Sequence, residues 1–307
     1  MMNFTINKRY FYERLSIVSR AISVFSPLPA FSGIKIDVVP NSIVLTGSDS
    51  DISILSTITP DQENALTINA AGSIVIESKY ILEVVRKIEG EIIEFEVLDD
   101  TQTRISGDRS QFKINGMKST DYPAIDFSQP KDSFEISSET LKEIITQTSF
   151  ATSDRETRPV LTGVNFSCHD KQLQCVATDS YRLARKLVPL DSALQFNITI
   201  PAKSLQEVYK SIGGEKNVTI SVDHKKVQFL IDNTIIQTRL IDGAYPETSR
   251  LIPSSFNYEL RIDSHELLSA IDRASFIKND GVYIIRFKLD EQEYMVCKLS
   301  DILAIVE

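Results

Sequence analysis

The sequence predicts an α+β protein made of three repeats, each with two helices backed by antiparallel sheets, the third repeat being incomplete. The first observation behind this prediction is a shared opening segment, a short alternating strand that leads into an apolar helical stripe. This segment begins at Phe4, Phe134 and Tyr258. Because a recurring segment marks a repeated structural unit, the repetition defines the architecture before any single element is assigned.

A second type of segment and a shared turn support the same spacing. The strand and helix that begin at Ile74 recur at Ile198. The Tyr-Pro pair that begins at Tyr122 recurs at Tyr245, after nearly the same interval. Agreement at separate landmarks indicates true repeats rather than chance similarity. We therefore place the repeats, and the domains that they predict, at residues 1–128, 133–253 and 256–307.

Five helices are predicted by apolar residues that form one stripe along a helix; the spacing is i, i+3, i+4 and i+7 in four of them and slightly different, with Phe11, Leu15, Val18 and Ile22, in the first. The stripes begin at Phe11, Ile81, Leu141, Leu205 and Leu267. Polar residues suited to helix N-caps precede three of them, namely Ser78, Ser138 and either Asp263 or Ser264. Alternating segments such as 42–47 predict the strands, about eight in each complete repeat. Each helix is expected to pack one face against a sheet.

Charge is distributed unevenly along the chain. The 307 residues carry 33 Lys and Arg against 42 Asp and Glu, a net charge of −9, which by itself argues against nucleic acid as a partner. The helical segments have the opposite balance, with eleven basic and eight acidic residues. The counts leave two interpretations open: ordinary solvated helix faces, or a phosphate-facing helical surface on an otherwise acidic body.

The amino-acid composition also indicates in which cellular compartment the protein is found. Three irregularly spaced cysteines cannot form a disulfide framework, so we expect a reducing, cytoplasmic environment. The sequence has no apolar run approaching about 18 residues and no signal pattern at its N-terminus, so we expect no membrane association.

Known catalytic motifs, including phosphate-binding loops and zinc-protease signatures, are absent from the sequence. The motif Asp49-Ser50-Asp51 suits a divalent metal, and a metal-dependent hydrolase that uses Asp49 and Asp51 is one hypothesis. In repeat two the counterpart of Asp51 is Tyr181, so a strand-end turn in which the first Asp accepts backbone N–H groups explains both copies better. We therefore expect no metal, no cofactor and no catalysis.

Repeat two carries four strings that resemble one family: RETRPVLTGVNF from Arg155, VATDSYRLA from Val176, IPAKSL from Ile200 and AYPETSRLIP from Ala244. The family is the bacterial DNA polymerase III beta subunit, the replicative sliding clamp, and the resemblance extends over essentially the whole chain. It implies the DNA clamp fold, in which two three-domain subunits close a ring with helices lining the hole. It also implies a non-catalytic processivity subunit of a DNA-directed DNA polymerase holoenzyme, encircling duplex DNA without sequence specificity.

Three sets of site residues follow from the resemblance. A docking pocket would take short apolar motifs from the DNA polymerase III catalytic subunit, the clamp loader and other clamp-motif proteins. Its residues would be Leu161, Thr178, Ser180, Tyr181, Arg182, Leu183, Pro246, Arg250 and Leu251. DNA contacts would be Arg158 and Lys203, to which the basic helices add Lys79, Arg14 and Arg20. The homodimer interface would include Phe112, Phe276 and Ile277.

The alternative interpretation of the predicted pocket is that its three leucines are simply core residues. The chain also departs from the family pattern, because Phe25 stands where an Arg that contacts DNA is common and Tyr181 stands where His is frequent. In repeat three, Ser300-Asp301 matches Ser48-Asp49 of repeat one, so some 70 residues of that repeat are missing by this count. We therefore expect weak or failed dimerisation. The alternative function is a monomeric truncated clamp that binds motif partners without encircling DNA.

Overall fold

Five α-helices lie on the predicted apolar stripes in a computed structural model that describes residues 2–23, 28–214, 216–252, 261–274, 284–289 and 292–297. They are α1 (Lys8–Ser19), α2 (Ser78–Lys87), α3 (Ser138–Thr148), α4 (Ala202–Ser211) and α5 (Ser264–Ala274). The stripe of α1 is fully buried at Phe11, Leu15 and Val18. The Phe11 ring meets the ring of Phe4 edge-on, at 5.7 Å between centroids, so the opening strand and helix of repeat one share one core.

Two of the predicted helix caps are wrong by one residue. Ser78 and Ser138 are the first helical residues of α2 and α3, not their caps. The cap of α3 is Ser137, whose hydroxyl oxygen accepts a hydrogen bond from the Thr140 amide at 3.0 Å. The cause is that a strand runs directly into the helix, so the last strand residue already has the extended backbone that a cap requires. The Asp263 cap is confirmed, since its carboxylate accepts from the Glu266 amide at 2.9 Å.

Strands are numbered in chain order. Repeat one contains β1 (Asn3–Asn7), β2 (Gly33–Val39), β3 (Ser42–Ser48), β4 (Ile52–Ile58), β5 (Thr67–Ala70), β6 (Gly72–Glu77), β7 (Ile92–Val97), β8 (Gln102–Ser106) and β9 (Gln111–Asn115). The later repeats contain β10 (Asp132–Ser137), β11 (Gly163–Thr178), β12 (Leu183–Pro201), β13 (Asn217–Val222), β14 (Lys226–Ile231), β15 (Thr234–Arg239), β16 (Ile284–Leu289) and β17 (Gln292–Cys297).

The pairing is antiparallel in every described sheet. Five strands of repeat one form a sheet in the order β5-β1-β7-β8-β9. Eight strands from both complete repeats form a second sheet in the order β10-β13-β14-β15-β4-β3-β2-β6. The two long strands β11 and β12 pair with each other along most of their length, and β16 pairs with β17. The prediction of helices backed by antiparallel sheets is therefore confirmed.

The eight-stranded sheet joins repeat one to repeat two through β4 and β15. Thr234 pairs with Ser56, and the pairing continues to the end of β15, where the Arg239 amide donates to the Asp51 carbonyl at 3.0 Å. The hydroxyl groups of Ser56 and Thr234 lie 3.1 Å apart, and both residues are buried. Because backbone hydrogen bonds cross the boundary between the repeats, the two repeats are held at a defined angle.

Repeat one has a strand in the position of β15, but that strand has an open edge. This strand is β9, which pairs with β8 as β15 pairs with β14, and has no second partner among the described strands. Phe112 lies on β9 and is 36% exposed. An unpaired edge of this kind is a ready template for another strand.

The buried hydroxyl pair at the β4–β15 junction gives a first prediction. Replacing Thr234 with Val keeps the side-chain shape and removes the partner of the Ser56 hydroxyl, so the free energy of unfolding should fall by about 1–3 kcal/mol. Urea unfolding measures the change, with Thr120→Val, at an exposed residue of the 3₁₀ turn Ser119–Asp121, as the control. Adding Ser56→Ala should recover part of the loss. Equal stability of the Thr234 and Thr120 variants would contradict a contribution from this pair.

Candidate functional site

The four helices of the first two repeats form two packed pairs that meet at one side-chain contact. Helix α1 packs beside α2, and α3 packs beside α4. The pairs meet where the guanidinium of Arg20, at the end of α1, donates to the hydroxyl of Ser211, at the end of α4, at 3.0 Å. We call this set of helices, in the order α2-α1-α4-α3, the helical row. It brings together basic residues that are far apart in the sequence.

Lys79 and Lys203 occupy equivalent positions in the helical row. Each is the second residue of its helix, in α2 and α4 respectively, and each is exposed. Neither helix has a side chain that caps its N-terminus, so its first backbone N–H groups stay available to an external acceptor. A lysine ammonium beside the positive end of a helix dipole favours an anion such as phosphate.

The two predicted arginines of α1 have intramolecular partners instead. Arg14 is 19% exposed, its guanidinium lies 3.5 Å from the Asp232 carboxylate of repeat two, and it stacks 4.9 Å from the centre of the Tyr10 ring. Arg20 holds Ser211, as described above. Both side chains therefore link repeat one to repeat two. Their role in binding DNA stays a prediction, and a phosphate would have to compete with these contacts.

Other basic residues of the helical row are paired with acids on their own helix. The carboxylate of Glu83 lies 2.8 Å from the guanidinium of Arg86 and 2.9 Å from the ammonium of Lys87. The hydrogen bonds from Arg86 and then from Lys87 lower the pKa of Glu83 to about 2. Glu83 therefore stays ionised at neutral pH and offsets part of the basic charge, which a count along the sequence does not reveal.

Arg158 lies outside the helices, in the loop that joins α3 to β11. Its side chain is exposed and has no hydrogen bond or ion pair within the described part of the chain. Its backbone carbonyl accepts from the Leu161 amide at 3.0 Å, which opens a short 3₁₀ turn. Phe25, in the corresponding loop of repeat one, lies outside the described residues, as do Phe276 and Ile277.

The turn between β11 and β12 is the centre of the predicted docking site. The carboxylate of Asp179 accepts hydrogen bonds from the amides of Tyr181 and Arg182, at 2.9 and 3.0 Å. Ser180 has a φ of 80°, and the Thr178 hydroxyl donates to the Arg182 carbonyl at 2.6 Å. These bonds hold the turn in one shape and direct Tyr181 outward, where it is 93% exposed.

Repeat one contains the same turn. The carboxylate of Asp49 accepts from the amides of Asp51 and Ile52 at 3.0 and 2.9 Å, and Ser50 has a φ of 87°. The strand-end turn predicted for both copies is therefore confirmed. The described residues contain no cluster of three or more His, Cys, Asp or Glu side chains that would hold a metal ion. The carboxylate of Asp49 serves the turn in this structure.

Tyr245 connects the turn to the following part of the docking site, a contact that the sequence analysis missed. Its phenolic oxygen accepts a hydrogen bond from the Thr178 amide at 3.0 Å. This bond brings the Tyr245-Pro246 pair to the turn, and the exposed Arg250 and Leu251 follow in a short 3₁₀ turn. The repeated Tyr-Pro pair was the available signal, although its spacing alone does not identify the acceptor.

The three leucines of the predicted pocket differ in exposure. Leu161 is 2% exposed and fits the core interpretation, while Leu183 is half-buried. Leu251 is 66% exposed, which the core interpretation does not explain. Leu251 and Tyr181 therefore both contribute exposed apolar area to the predicted docking surface.

Paired helices that pack against antiparallel sheets, with one sheet continuing from one repeat into the next, define a clamp-type protein. Two family models match the chain: the N-terminal domain of the DNA polymerase III beta subunit over residues 2–126, and its central domain over residues 135–247. The chain belongs to the DNA polymerase III beta subunit family, the beta sliding clamps.

Similar proteins agree with this assignment. The beta sliding clamp of Staphylococcus aureus is 39% identical over 285 residues, which cover 92% of this chain and 76% of that protein. The crystal structure of the Bacillus subtilis DNA polymerase sliding clamp is 36% identical, with a TM-score of 0.90, over 96% of this chain and 80% of that one. The DNA polymerase III beta chain of Streptococcus pneumoniae is 31% identical, with a TM-score of 0.87, over 97% of this chain and 84% of that one. Within the described residues, no helix has the length and apolar character needed to span a membrane.

The Tyr245 hydroxyl gives a second prediction. Tyr245→Phe removes the acceptor of the Thr178 amide, so the free energy of unfolding should fall by about 1–2 kcal/mol at neutral pH. Burial raises the pKa of Tyr245 from 10.0 to about 12, so the folded state favours the neutral phenol. The advantage of the wild type over this variant should be complete below about pH 10 and should shrink between about pH 10 and 12.

Urea unfolding at neutral and alkaline pH measures both effects. Tyr80→Phe is the matched control, because the Tyr80 side chain is 49% exposed. If Tyr245→Phe cost no more stability than Tyr80→Phe, the proposed bracing of the turn by Tyr245 would be wrong.

Proposed function

We propose that this chain is a DNA sliding clamp, a non-catalytic processivity subunit that encircles duplex DNA and tethers the replicative polymerase. The family assignment together with the helical row carries this proposal. We further propose that the repeats are its domains, at 1–128, 133–253 and 256–307. A role in DNA replication supports a cytoplasmic location.

The DNA contacts are proposed to be directed at phosphates. Lys79, Lys203 and Arg158 are exposed cations, and the two lysines stand beside uncapped helix N-termini. Contacts of this kind do not distinguish sequences and weaken as salt rises, which suits a protein that slides. The net charge of −9 belongs to the chain as a whole and would discourage DNA from binding elsewhere on its surface.

Partner proteins are proposed to dock on repeat two. The proposed surface comprises the turn from Thr178 to Leu183 and the segment from Pro246 to Leu251, which Tyr245 joins. Its exposed Tyr181 and Leu251 suit a short apolar motif, as a polymerase catalytic subunit or a clamp loader would supply.

Ring closure is proposed to use the open edge of β9. In repeat two the equivalent strand, β15, pairs with β4 of repeat one. The same type of pairing at β9, with a second copy of the chain, would extend the sheet across a subunit boundary and cover Phe112. Head-to-tail pairing of this kind closes a homodimeric ring.

Charge reversal tests the phosphate contacts. Lys203→Glu and Lys79→Glu should each weaken binding to a duplex of arbitrary sequence and should reduce the salt dependence by about one ion per lost contact. Fluorescence anisotropy across a salt series measures both quantities. The control is Lys171→Glu, at an exposed position in β11 outside the helical row. Reductions no larger than that of the control would contradict the proposed DNA face.

Retention on circular DNA tests encirclement. The protein is incubated with nicked circular plasmid at rising concentration and passed through a sizing column, before and after the plasmid is cut. Retention should increase with protein concentration, because closing the ring joins two subunits, and it should be lost on the cut plasmid. Equal retention on both forms, or none on either at any concentration, would contradict encirclement.

A further inference from the structure

A cavity of about 370 Å³ lies at the junction of repeat one and repeat two, apart from the surface proposed for docking above. Repeat one contributes Phe31, the Asp49 turn and residues 123–126 near its end, and repeat two contributes parts of β14 and β15. The cavity is therefore formed entirely by the first two repeats.

The walls of this cavity are held by hydrogen bonds across the junction. The Arg239 amide donates to the Asp51 carbonyl at 3.0 Å. Segment 123–126 is held by its Asp126 carbonyl, which accepts from the Lys226 ammonium at 2.8 Å and from the Gln237 amide group at 3.1 Å. Since each wall is tied to the same sheet, the space between them is part of the fold and does not need a ligand to form it.

The floor of the cavity is apolar. Phe31 is 5% exposed and its ring meets the Tyr122 ring edge-on, at 5.3 Å between centroids. Ile125 and Pro123 are half-buried beside it, and Leu28 is 44% exposed at the margin. An apolar floor of this size, open to solvent, accommodates one or two large apolar side chains.

The cavity corresponds by internal symmetry to the docking surface of repeat two. Phe31, Ser48, Ser50, Asp51 and Ser53 each lie 130 positions before a residue predicted for that pocket. The two turns have the same hydrogen bonds and the same positive φ angle at the serine. Repeat one thus has the same construction, and repeat two supplies the opposite wall.

The charged residues at the margin of the cavity indicate which kind of ligand it would bind. Lys225 and the guanidinium of Arg239 are exposed and have no ion-pair partner within the described part of the chain, whereas Lys226 is paired with Asp126 at 3.5 Å. Asp51 is the remaining exposed charge on the turn. Two available cations against one carboxylate favour an acidic ligand at this margin, because the local charge balance is positive.

We propose that this cavity is a second docking site, which takes a short segment of a partner protein containing large apolar side chains next to an acidic residue. The inference goes beyond the proposed function, because it requires neither ring closure nor DNA. The ligand would be a short peptide segment, as proposed for the docking surface of repeat two. Its acidic residue would contact Lys225 and Arg239.

The test uses the full chain and a defined probe, the peptide acetyl-Ser-Asp-Leu-Phe-Ser-amide, followed by NMR of labelled isoleucine methyl groups. Saturable shifts of the Ile125 methyl resonance are expected. Ala124→Trp, at an exposed lining residue, should fill the cavity and abolish them. Arg239→Glu should weaken binding about three- to tenfold, and so should replacing the peptide Asp with Asn.

Two controls separate this site from the one proposed for repeat two. Lys171→Glu should leave the Ile125 shifts unchanged, and so should Leu251→Ser, which alters only the other surface. Loss of peptide binding in Leu251→Ser, with binding retained in both Ala124→Trp and Arg239→Glu, would overturn the inference and leave the proposed function intact. Absence of any shift at Ile125 would also overturn it.

Discussion

The pairing of β4 with β15 is the interaction on which the rest of the structure depends. Without it, repeat one and repeat two would be separate units joined only by the short segment between them. With it, one eight-stranded sheet spans both repeats and fixes the angle between them. The helical row follows from that angle, because Arg20 reaches Ser211 and Arg14 reaches Asp232 only when the repeats are held side by side. The cavity beside Phe31 has the same origin, since its opposite wall is β15.

The distribution of charge in the structure gives information that the net charge of the whole chain does not. The net charge of −9 suggests a protein that avoids nucleic acid. Some basic residues of the helical row join the repeats, some are neutralised by a neighbour such as Glu83, and some remain available. Lys79 and Lys203 belong to the last group. A few available cations on one face are enough for weak contact with phosphates, and weak contact is what sliding requires.

The sequence predicted local and repeated features well. The apolar stripes located the helices, and the comparison of Asp49 with Asp179 identified the strand-end turn. The joint between the repeats was not predictable, because β4 and β15 are far apart in the chain and alternation does not reveal which strands pair. The partners of Arg14 and Arg20 were missed for the same reason, since a charge count contains no distances. The resemblance named the residues of the docking site, but only the structure showed that Tyr245 holds the turn.

We propose that duplex DNA meets the helical row and not the sheets. Lysine acetylation, read by mass spectrometry with and without a duplex of arbitrary sequence at low salt, tests this claim for the whole surface at once. We expect slower acetylation of Lys79 and Lys203 in the presence of DNA, with no change at Lys131 and Lys171, which are exposed outside the helical row. Protection of Lys131 and Lys171 equal to that of Lys79 and Lys203, or protection of none of the four, would contradict it.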